Sequence, residues 1–468
     1  MILPVHPIVA ARAAEWREYR LAYEGGRPYI DNYLFKHAKE RTVDFKVRLE
    51  RAVYPNHVGS VVDTYAAHLY REQIPREAKT SGATLEEFWS NIDMLGTPAD
   101  EFYEQVAQAV QVGGRCAVVV DRWDGDEQGE VITRVQEADA GRRPYAYLVG
   151  NEDIIDWSVD RRGRLAWVAI REWGAPEREP MAERVAPQER VRIWRQDSWE
   201  LWVMGGGEGE EGEAEPTMID IGEHPVGEVP VTLYFWGKRE GAEPVASSSL
   251  RDLAPMNRRL FNLVSLIDEQ IYQYVFSLMA MPKSTWDELK NVNWSVSGGI
   301  PYADDVAKTP HYISPDVAQI AAIRAEAGQA ETKIRQLSGL GRVNEENKSV
   351  QTGIALSYLT LDKDALLTKF GGRMARGESG IDRHAAAWMG EPEPEVRRTY
   401  PTSFDPLDLQ EELNNAMKVV SLGIQGEALL ATKAQALRSY LGPKLSARDL
   451  EAVLADLRTR LDTGGSPL

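Results

Sequence analysis

Apolar residues at Leu250, Leu253, Leu260, Val264, Ile267, Ile271, Val275 and Leu278 recur close to every 3.5 positions, while Arg251, Arg258, Asn262, Ser265, Asp268, Glu269 and Gln273 fall off that stripe. The pattern predicts an amphipathic helix over 248–278. It opens on Ser249-Leu250-Arg251-Asp252, where the hydroxyl and the carboxylate can each satisfy free N–H groups of the first turn. About thirty residues at about 1.5 Å each make a helix roughly 45 Å long, more than a compact enzyme usually uses. So long an apolar seam needs a partner, and packing beside copies of itself in a ring or bundle would supply one. A short excursion carrying Trp286, Trp294 and Gly298-Gly299 follows, and helical periodicity returns over 315–340.

Upstream, residues 8–110 read as mostly helical. Val58, Val61, Val62, Tyr65 and Leu69 form one apolar face after the Tyr54-Pro55-Asn56 break, and Phe102, Val106, Ala109 and Val110 form another. Short runs rich in Val, Ile, Trp and Tyr come next: Cys116 to Val120, Tyr145 to Val149, Leu165 to Ile170, Val191 to Trp194, Trp199 to Val203, Met218 to Ile221 and Val231 to Phe235. With few helices between them, they predict a largely antiparallel meander. Gly205 to Glu213 is a low-complexity acidic stretch with too little apolar area to order itself, which suits a hairpin tip.

Downstream, a Gly-punctuated polar segment from Ser338 to Lys348 precedes a second long helix over 352–389. The paired Gly371-Gly372 predicts a break or bend within it, and Glu391-Pro392-Glu393-Pro394 ends it. Three further helices are expected at the C-terminal end. Asp405 caps one, with Pro406 at its opening and Leu409, Leu413, Met417 and Val420 on its apolar face; Ser446 and Asp449 precede another bearing Leu450, Val453, Leu454, Leu457 and Leu461. The fold class is α+β.

At 468 residues the chain has room for about two to four domains. A net charge of −18 argues against a broad basic face that clamps phosphates. The one cysteine, Cys116, excludes an intrachain disulfide and suits a reducing compartment, and its glycine and valine neighbours mark a buried strand residue rather than a nucleophile. No apolar stretch approaches the ~20 residues of a membrane span. The first residues lack the basic start and apolar middle of a signal peptide, so the protein is expected to act where it is made.

Catalytic, cofactor and metal motifs are missing from the sequence. It holds no G-x-x-x-x-G-K-[ST], no H-E-x-x-H and no cysteine pair, and its seven histidines are scattered. Asp124 to Gly129 resembles the start of a calcium loop, but position twelve is Val135 where the ion needs a bidentate Glu, which leaves a solvated turn as the simpler reading. Asp268 and Glu269 diverge by about 100° around a helix and cannot work as an acid/base pair. Trp157, Trp167, Trp173, Trp194, Trp199 and Trp202 can either fill a core or stack on sugars or bases, and since tryptophans in short strands usually pack inward the core is the better reading.

The order of these segments resembles the portal proteins of tailed bacteriophages over roughly residues 50–430. Val58 to Tyr65 looks like the helix that opens the family's wing, and Val112 to Asp121 is similar to its glycine-led strand. Arg143-Pro144-Tyr145 and Asn151 to Trp157 resemble the following strand and turn. Gly227-Glu228-Val229-Pro230-Val231 with Ser249 to Leu253 matches the passage from wing sheet into stem helix, and Asn347 to Gly353 and Phe404 to Asp408 resemble later signature segments.

The resemblance implies a ring, usually a dodecamer, at one capsid vertex, through which double-stranded DNA is packaged and ejected. It implies N-terminal helices and a β-rich wing over 1–247, a stem helix over 248–278, a clip over 279–314 and a second stem helix over 315–338. A tunnel loop over 339–351, a long inner helix and return to the wing over 352–404 and a helical crown over 405–468 complete it. The expected partners are the terminase large subunit, head-completion or adaptor proteins, and the major capsid and scaffold proteins; no cofactor and no membrane is expected. The locations implied are the virion and, during assembly, the host cytoplasm.

In such a ring Trp286 and Trp294 would serve partner docking, Asp268 and Glu269 would stand on an acidic channel wall, and Arg342, Val343, Asn344 and Lys348 would lie on the tunnel loop. Twelve copies would carry −216, twelve times −18, and repel phosphates, so DNA would slide with weak, salt-screened contacts from Arg342 and Lys348. The same loop also reads as a plain solvated connection between helices. ATP hydrolysis would come from a partner. Two other readings stay open: a carbohydrate-active enzyme with the tryptophan strands as platform and two carboxylates as acid and base, and a different ring-forming virion adaptor.

Overall fold

A computed structural model describes residues 5–79, 82–123, 143–174, 181, 186–203, 216–275, 278–289, 299–304, 311–313, 317–339, 353–401, 453 and 455–456. The chain divides into two compact units, 1–402 and 403–468. The expected C-terminal helices lie almost wholly outside the described residues, as do the calcium-like stretch 124–142 and the acidic stretch 205–213.

Unit one is a mixed α+β body. Six helices open it: α1 (Pro7–Glu24), α2 (Gly26–Tyr33), α3 (Thr42–Arg51), α4 (His57–Leu69), α5 (Gly82–Ser90) and α6 (Ala99–Gly113), with the short strand β1 (Arg76–Ala78) between α4 and α5. The helix starts follow local chemistry. Pro7 sits in the first turn of α1, where a missing N–H costs nothing, and the Asn56 side chain accepts from Gly59 N at 2.7 Å to cap α4. The apolar face expected on α4 is inward, with Val58, Val62, Tyr65 and Leu69 all buried.

Eight strands follow: β2 (Arg115–Trp123), β3 (Arg143–Val149), β4 (Ile154–Val159), β5 (Leu165–Gly174), β6 (Gln188–Trp194), β7 (Ser198–Val203), β8 (Thr217–Glu223) and β9 (Val231–Phe235). All seven expected strands are present, and β4 is an addition. They form two sheets, a three-stranded one in the order β3-β2-β9 and a five-stranded meander β4-β5-β6-β7-β8, antiparallel throughout.

The run from Cys116 to Val120 is buried at every position because β2 is covered on both faces, so period-two alternation is lost there. Cys116 Sγ reaches the Val106 carbonyl on α6, and burial holds its thiol well above the ordinary value. The turn from α6 into β2 requires Gly114: its φ is +77°, and a Cβ would stand 2.4 Å from the Ala246 carbonyl oxygen.

Arg115 fastens three elements from full burial. It donates to Asn151 Oδ1 at 2.5 Å, Pro244 O at 2.9 Å and Ile154 O at 3.2 Å, and its guanidinium lies 4.2 Å from the Trp157 ring centre. Burial, reinforced by Arg12, pushes its pKa down to about 9.

Beyond β9 come α7 (Leu253–Val275), β10 (Leu278–Pro282), α8 (Lys283–Leu289), β11 (Gly299–Tyr302), β12 (His311–Ile313), α9 (Val317–Leu337), α10 (Gly353–Trp388) and β13 (Val396–Arg398). Helix α7 starts at Leu253, not at Ser249, and the expected capping box is not made. Pro255 dictates this, since a helix opening earlier would carry the proline ring in its interior. Ser248 and Ser249 instead turn their hydroxyls to α6, 2.9 Å and 3.0 Å from the Gln111 carbonyl.

The break expected at Gly371-Gly372 does not occur, and α10 is helical through all 36 residues. Two of its glycines allow a close contact with β9. A Cβ on Gly377 would lie 2.1 Å from the Tyr234 ring, and one on Gly380 would lie 2.8 Å from Thr232 Oγ1, so β9 can approach the helix backbone only because both are glycine. Trp388 closes the same face, donating from Nε1 to Val120 O at 2.9 Å.

The tryptophans divide. Trp157 and Trp194 are buried, as expected for core residues; Trp167, Trp199 and Trp202 are half-buried, and Trp173 is 63% exposed. They form no continuous platform. The last strand of the meander, β8, also faces outward, with Met218, Ile219 and Ile221 exposed.

Candidate functional site

Helices α7 and α9 form a hairpin that carries a small module at its tip. Leu278, just after α7, pairs with Ile313, just before α9, and further along the hairpin Arg259 Nη2 meets Glu326 Oε2 at 2.8 Å, so the helices run antiparallel. The module is a three-stranded sheet in the order β11-β10-β12, parallel between β10 and β11 and antiparallel between β10 and β12, with α8 packed on it. Asp304 accepts from Ser284 N at 2.9 Å and Ser284 Oγ at 3.0 Å, tying the start of α8 to the end of β11; these bonds hold its carboxyl below the usual range.

The near end of α7 is rooted in the body. Leu253, Ala254, Leu260 and Phe261 are buried, Phe261 lies edge-on to Tyr54, and Asn257 Nδ2 donates to Tyr54 OH at 2.5 Å. Arg48 bridges from α3, donating to Ser265 Oγ at 3.1 Å while paired with Glu40 at 2.8 Å. On α9, Ile320, Ala327, Ala330 and Ile334 are buried at near-heptad spacing, and most other positions are exposed. The exposed set includes Ala321, Ala322, Ala325 and Gly328, small residues that let another helix come close.

The residues assigned to a channel wall are placed differently from one another. Asp268 is exposed, whereas Glu269 Oε2 lies 3.0 Å from Arg51 Nη2, and Arg51 also stands 4.2 Å over the Tyr272 ring. Glu269 thus has its charge offset within its own chain. Trp286 is half-buried in α8. Trp294, Arg342, Val343, Asn344 and Lys348 lie outside the described residues.

A second feature was not foreseen. A cleft of about 820 Å³ opens between α10, β9 and the β4–β5 turn, lined by Arg164, Lys238, Arg239, Arg373, Arg376 and Arg383 against two carboxylates, Asp160 and Glu228. Both carboxylates are already engaged. Asp160 pairs with Arg164 at 3.0 Å, and Glu228 accepts from Arg383 Nε at 2.6 Å and lies 3.0 Å from His384 Nε2. His384 and Arg383 hold the Glu228 carboxyl down to about 2, unfit for a general acid near neutral pH. The spacing of Arg373, Arg376 and Arg383 along α10 was the available signal, since i, i+3 and i+10 share a helix face.

Among the described residues no group of histidine, cysteine and carboxylate side chains is arranged to hold a metal ion, and no helix is long and apolar enough to cross a membrane.

No protein-family model matches the chain, and no curated protein sequence matches it. Solved structures align along most of its length. A chain in the "Neck of native GTA particle computed with C12 symmetry" is 11% identical with a TM-score of 0.35, covering 92% of this chain and 98% of that one. One in the "Neck of empty GTA particle computed with C6 symmetry" has the same identity and TM-score, covering 92% and 100%. One in the "Virion of native gene transfer agent (GTA) particle" is 10% identical with a TM-score of 0.35, covering 97% and 99%. Alignments this loose define neither a shared fold nor a role.

Proposed function

We propose that this chain is a structural subunit of the neck of a phage-like virion and, within it, the portal: a ring at one capsid vertex that guides double-stranded DNA in and out and docks the packaging motor and the head-completion proteins. One observation carries the proposal. A helical hairpin, α7 and α9, grows out of a helix-and-sheet body, bears a small α/β module at its tip and is followed by a long helix crossing back over the sheet. This is the order of wing, stem, clip, stem and inner helix that the sequence resemblance implies.

The surface of the hairpin supports a repeated neighbour. A helix with one narrow buried seam and the small residues Ala321, Ala322, Ala325 and Gly328 among its exposed positions can take a second helix against it, and identical copies around a rotation axis would supply one. In this ring Asp268 faces the channel, and Arg342, Val343, Asn344 and Lys348 touch passing phosphates weakly enough for sliding. Trp286 and Trp294 contribute to the docking surface of the tip module, and the terminase large subunit supplies ATP hydrolysis.

The carbohydrate-enzyme reading fares worse. The tryptophans make no row, and the cleft between α10 and β9 carries guanidinium groups with its two carboxylates already salt-bridged, not the free acid and base that glycoside hydrolysis needs. End-on electron micrographs of the purified protein, with its native mass, test the proposal. Annular particles of about a dozen copies are expected. A stable monomer that turns over a small substrate would overturn it.

A further inference from the structure

The cleft between α10, β9 and the β4–β5 turn runs against the charge of the chain: in a protein of net charge −18, its cations exceed its carboxylates six to two. Both carboxylates are already taken, Asp160 by Arg164 and Glu228 by Arg383. Lys238, Arg239, Arg373 and Arg376 are left, and none of them forms an ion pair with another described residue.

Two of these four are held in place by neutral partners. Arg373 is half-buried and donates from Nη1 to the Trp236 carbonyl, and Arg239 donates to the carbonyls of Gly163, Ala242 and Glu243 at 3.2, 2.8 and 3.4 Å. A carbonyl orients a guanidinium but brings no countercharge, and burial, with Arg376 beside it, holds Arg373 below its ordinary value. The other two stand free. Lys238 and Arg376 are exposed and make no hydrogen bond with another described residue, and Arg376 lies one turn along α10 from Arg373, on the same face.

We propose that this cleft binds a phosphate-bearing polyanion, held by Lys238 and Arg376 and steadied by Arg239 and Arg373. A single carboxylate brings one charge and answers only a fraction of four cations, whereas linked phosphates bring several charges with acceptor oxygens that match the fork of a guanidinium. The volume of about 820 Å³ lies within the range of small-ligand sites. The same chemistry comes from two sources, a free polyphosphate or successive phosphates of a DNA strand. The cleft is formed within one chain, so binding requires no ring.

The test titrates the full chain at low salt, by calorimetry, with inorganic tripolyphosphate and, in a second arm, by fluorescence anisotropy with a short labelled DNA duplex. Saturable binding of tripolyphosphate at one per chain is expected, weakening as salt rises. Lys238→Glu with Arg376→Glu should weaken it at least about tenfold, and Lys238→Gln with Arg376→Gln by a smaller factor. Since neither side chain bonds to the described fold, both variants should keep the wild-type thermal midpoint. Lys39→Glu with Lys46→Glu makes the same change in net charge at exposed positions outside the cleft and should leave the affinity within about twofold.

The two arms identify the source. Duplex binding that tripolyphosphate displaces, and that the same cleft variants lose, assigns the site to the DNA backbone; tripolyphosphate binding without duplex binding assigns it to a free polyphosphate. Binding of neither probe, binding that survives the cleft substitutions, or an equal loss in the Lys39→Glu/Lys46→Glu control would overturn the proposal. So would a polyglutamate peptide that binds the cleft more tightly than either phosphate probe, because the site would then select carboxylates.

Discussion

Around Glu378 the body buries charge; around Glu269 the helical hairpin leaves it in solvent. Arg76 on β1 and Arg398 on β13 are direct cross-strand partners, an arrangement of like charges that repels unless acids stand between them. Glu378 does so from α10, 3.0 Å from both Nε atoms and fully buried. Asp100 adds a 2.5 Å contact to Arg76, Asp382 pairs with Arg398 and accepts from Trp89 Nε1 at 2.9 Å, and Tyr400 donates to Glu378.

Burial alone would lower the Arg76 guanidinium, but Glu378 and Asp100 hold it above its ordinary value. The Glu269–Arg51 pair, by contrast, has side chains 26% and 42% exposed. The body pairs its buried charges within the chain, whereas the hairpin is secured at its root and along one seam, with most other positions of α9 exposed.

The sharpest way to break the contrast is Glu378→Ala, which removes the carboxylate shared by two buried guanidinium groups and leaves Arg76 to Asp100 and Arg398 to Asp382 alone. It should cost about 3–5 kcal/mol in urea unfolding. A loss below about 1 kcal/mol would mean that the cluster anchors nothing. Next in size is a matched pair on α10. Gly377→Ala should cost about 1–3 kcal/mol, because its Cβ would meet the Tyr234 ring, while Gly372→Ala, which meets nothing within 4 Å, should stabilise by about 0.5–1 kcal/mol. Equal effects from both would refute the close approach of helix and sheet.

The acid limb of stability comes third. The folded carboxyl of Glu228 is depressed to about 2 from an ordinary 4.5, so its contribution is whole above about pH 4.5 and is lost as pH falls toward 2. Its side chain is 37% exposed, and discounting for solvent screening leaves about 1–2 kcal/mol. Glu228→Gln should flatten the pH dependence of the thermal midpoint in that window, and an unchanged profile would remove the pair from the account. Smallest is Glu269→Gln, expected to change chain stability by less than about 1 kcal/mol at low salt and by less at high salt. A larger loss would place that residue with the buried cluster and erase the contrast.

Helical and strand segments were legible wherever burial repeats with a local period. The face of α4, the near end of the α7 seam at Leu253 and Leu260 and seven of the strands follow from residues three, four or two apart, whereas Ser265, expected off that seam, is buried and Leu278 opens β10. Reading failed where a tertiary contact overrode a local signal. Gly371-Gly372 looks like a break in sequence, yet α10 stays helical across it, and Gly371, Gly377 and Gly380 are where Tyr400, Tyr234 and Thr232 press against the helix. Ser249 and Asp252 look like a capping box, but Pro255 shifts the start and the serines bind α6. The strand Ile154–Val159, absent from the runs read by composition and met only through the resemblance of Asn151 to Trp157, pairs with β5.

The sequence by itself determined the long helices and seven of the strands with their order, the acidic balance and the lone buried thiol, since each depends on neighbours along the chain. Tertiary structure alone decided that Arg76, Asp100, Glu378, Asp382 and Arg398 share one buried site, that Glu269 is neutralised by Arg51, and that six scattered cations line one cleft. The reason is physical: periodicity reports which side of an element leaves water, whereas the energy of a charge depends on which other charges the fold brings within a few ångströms of it.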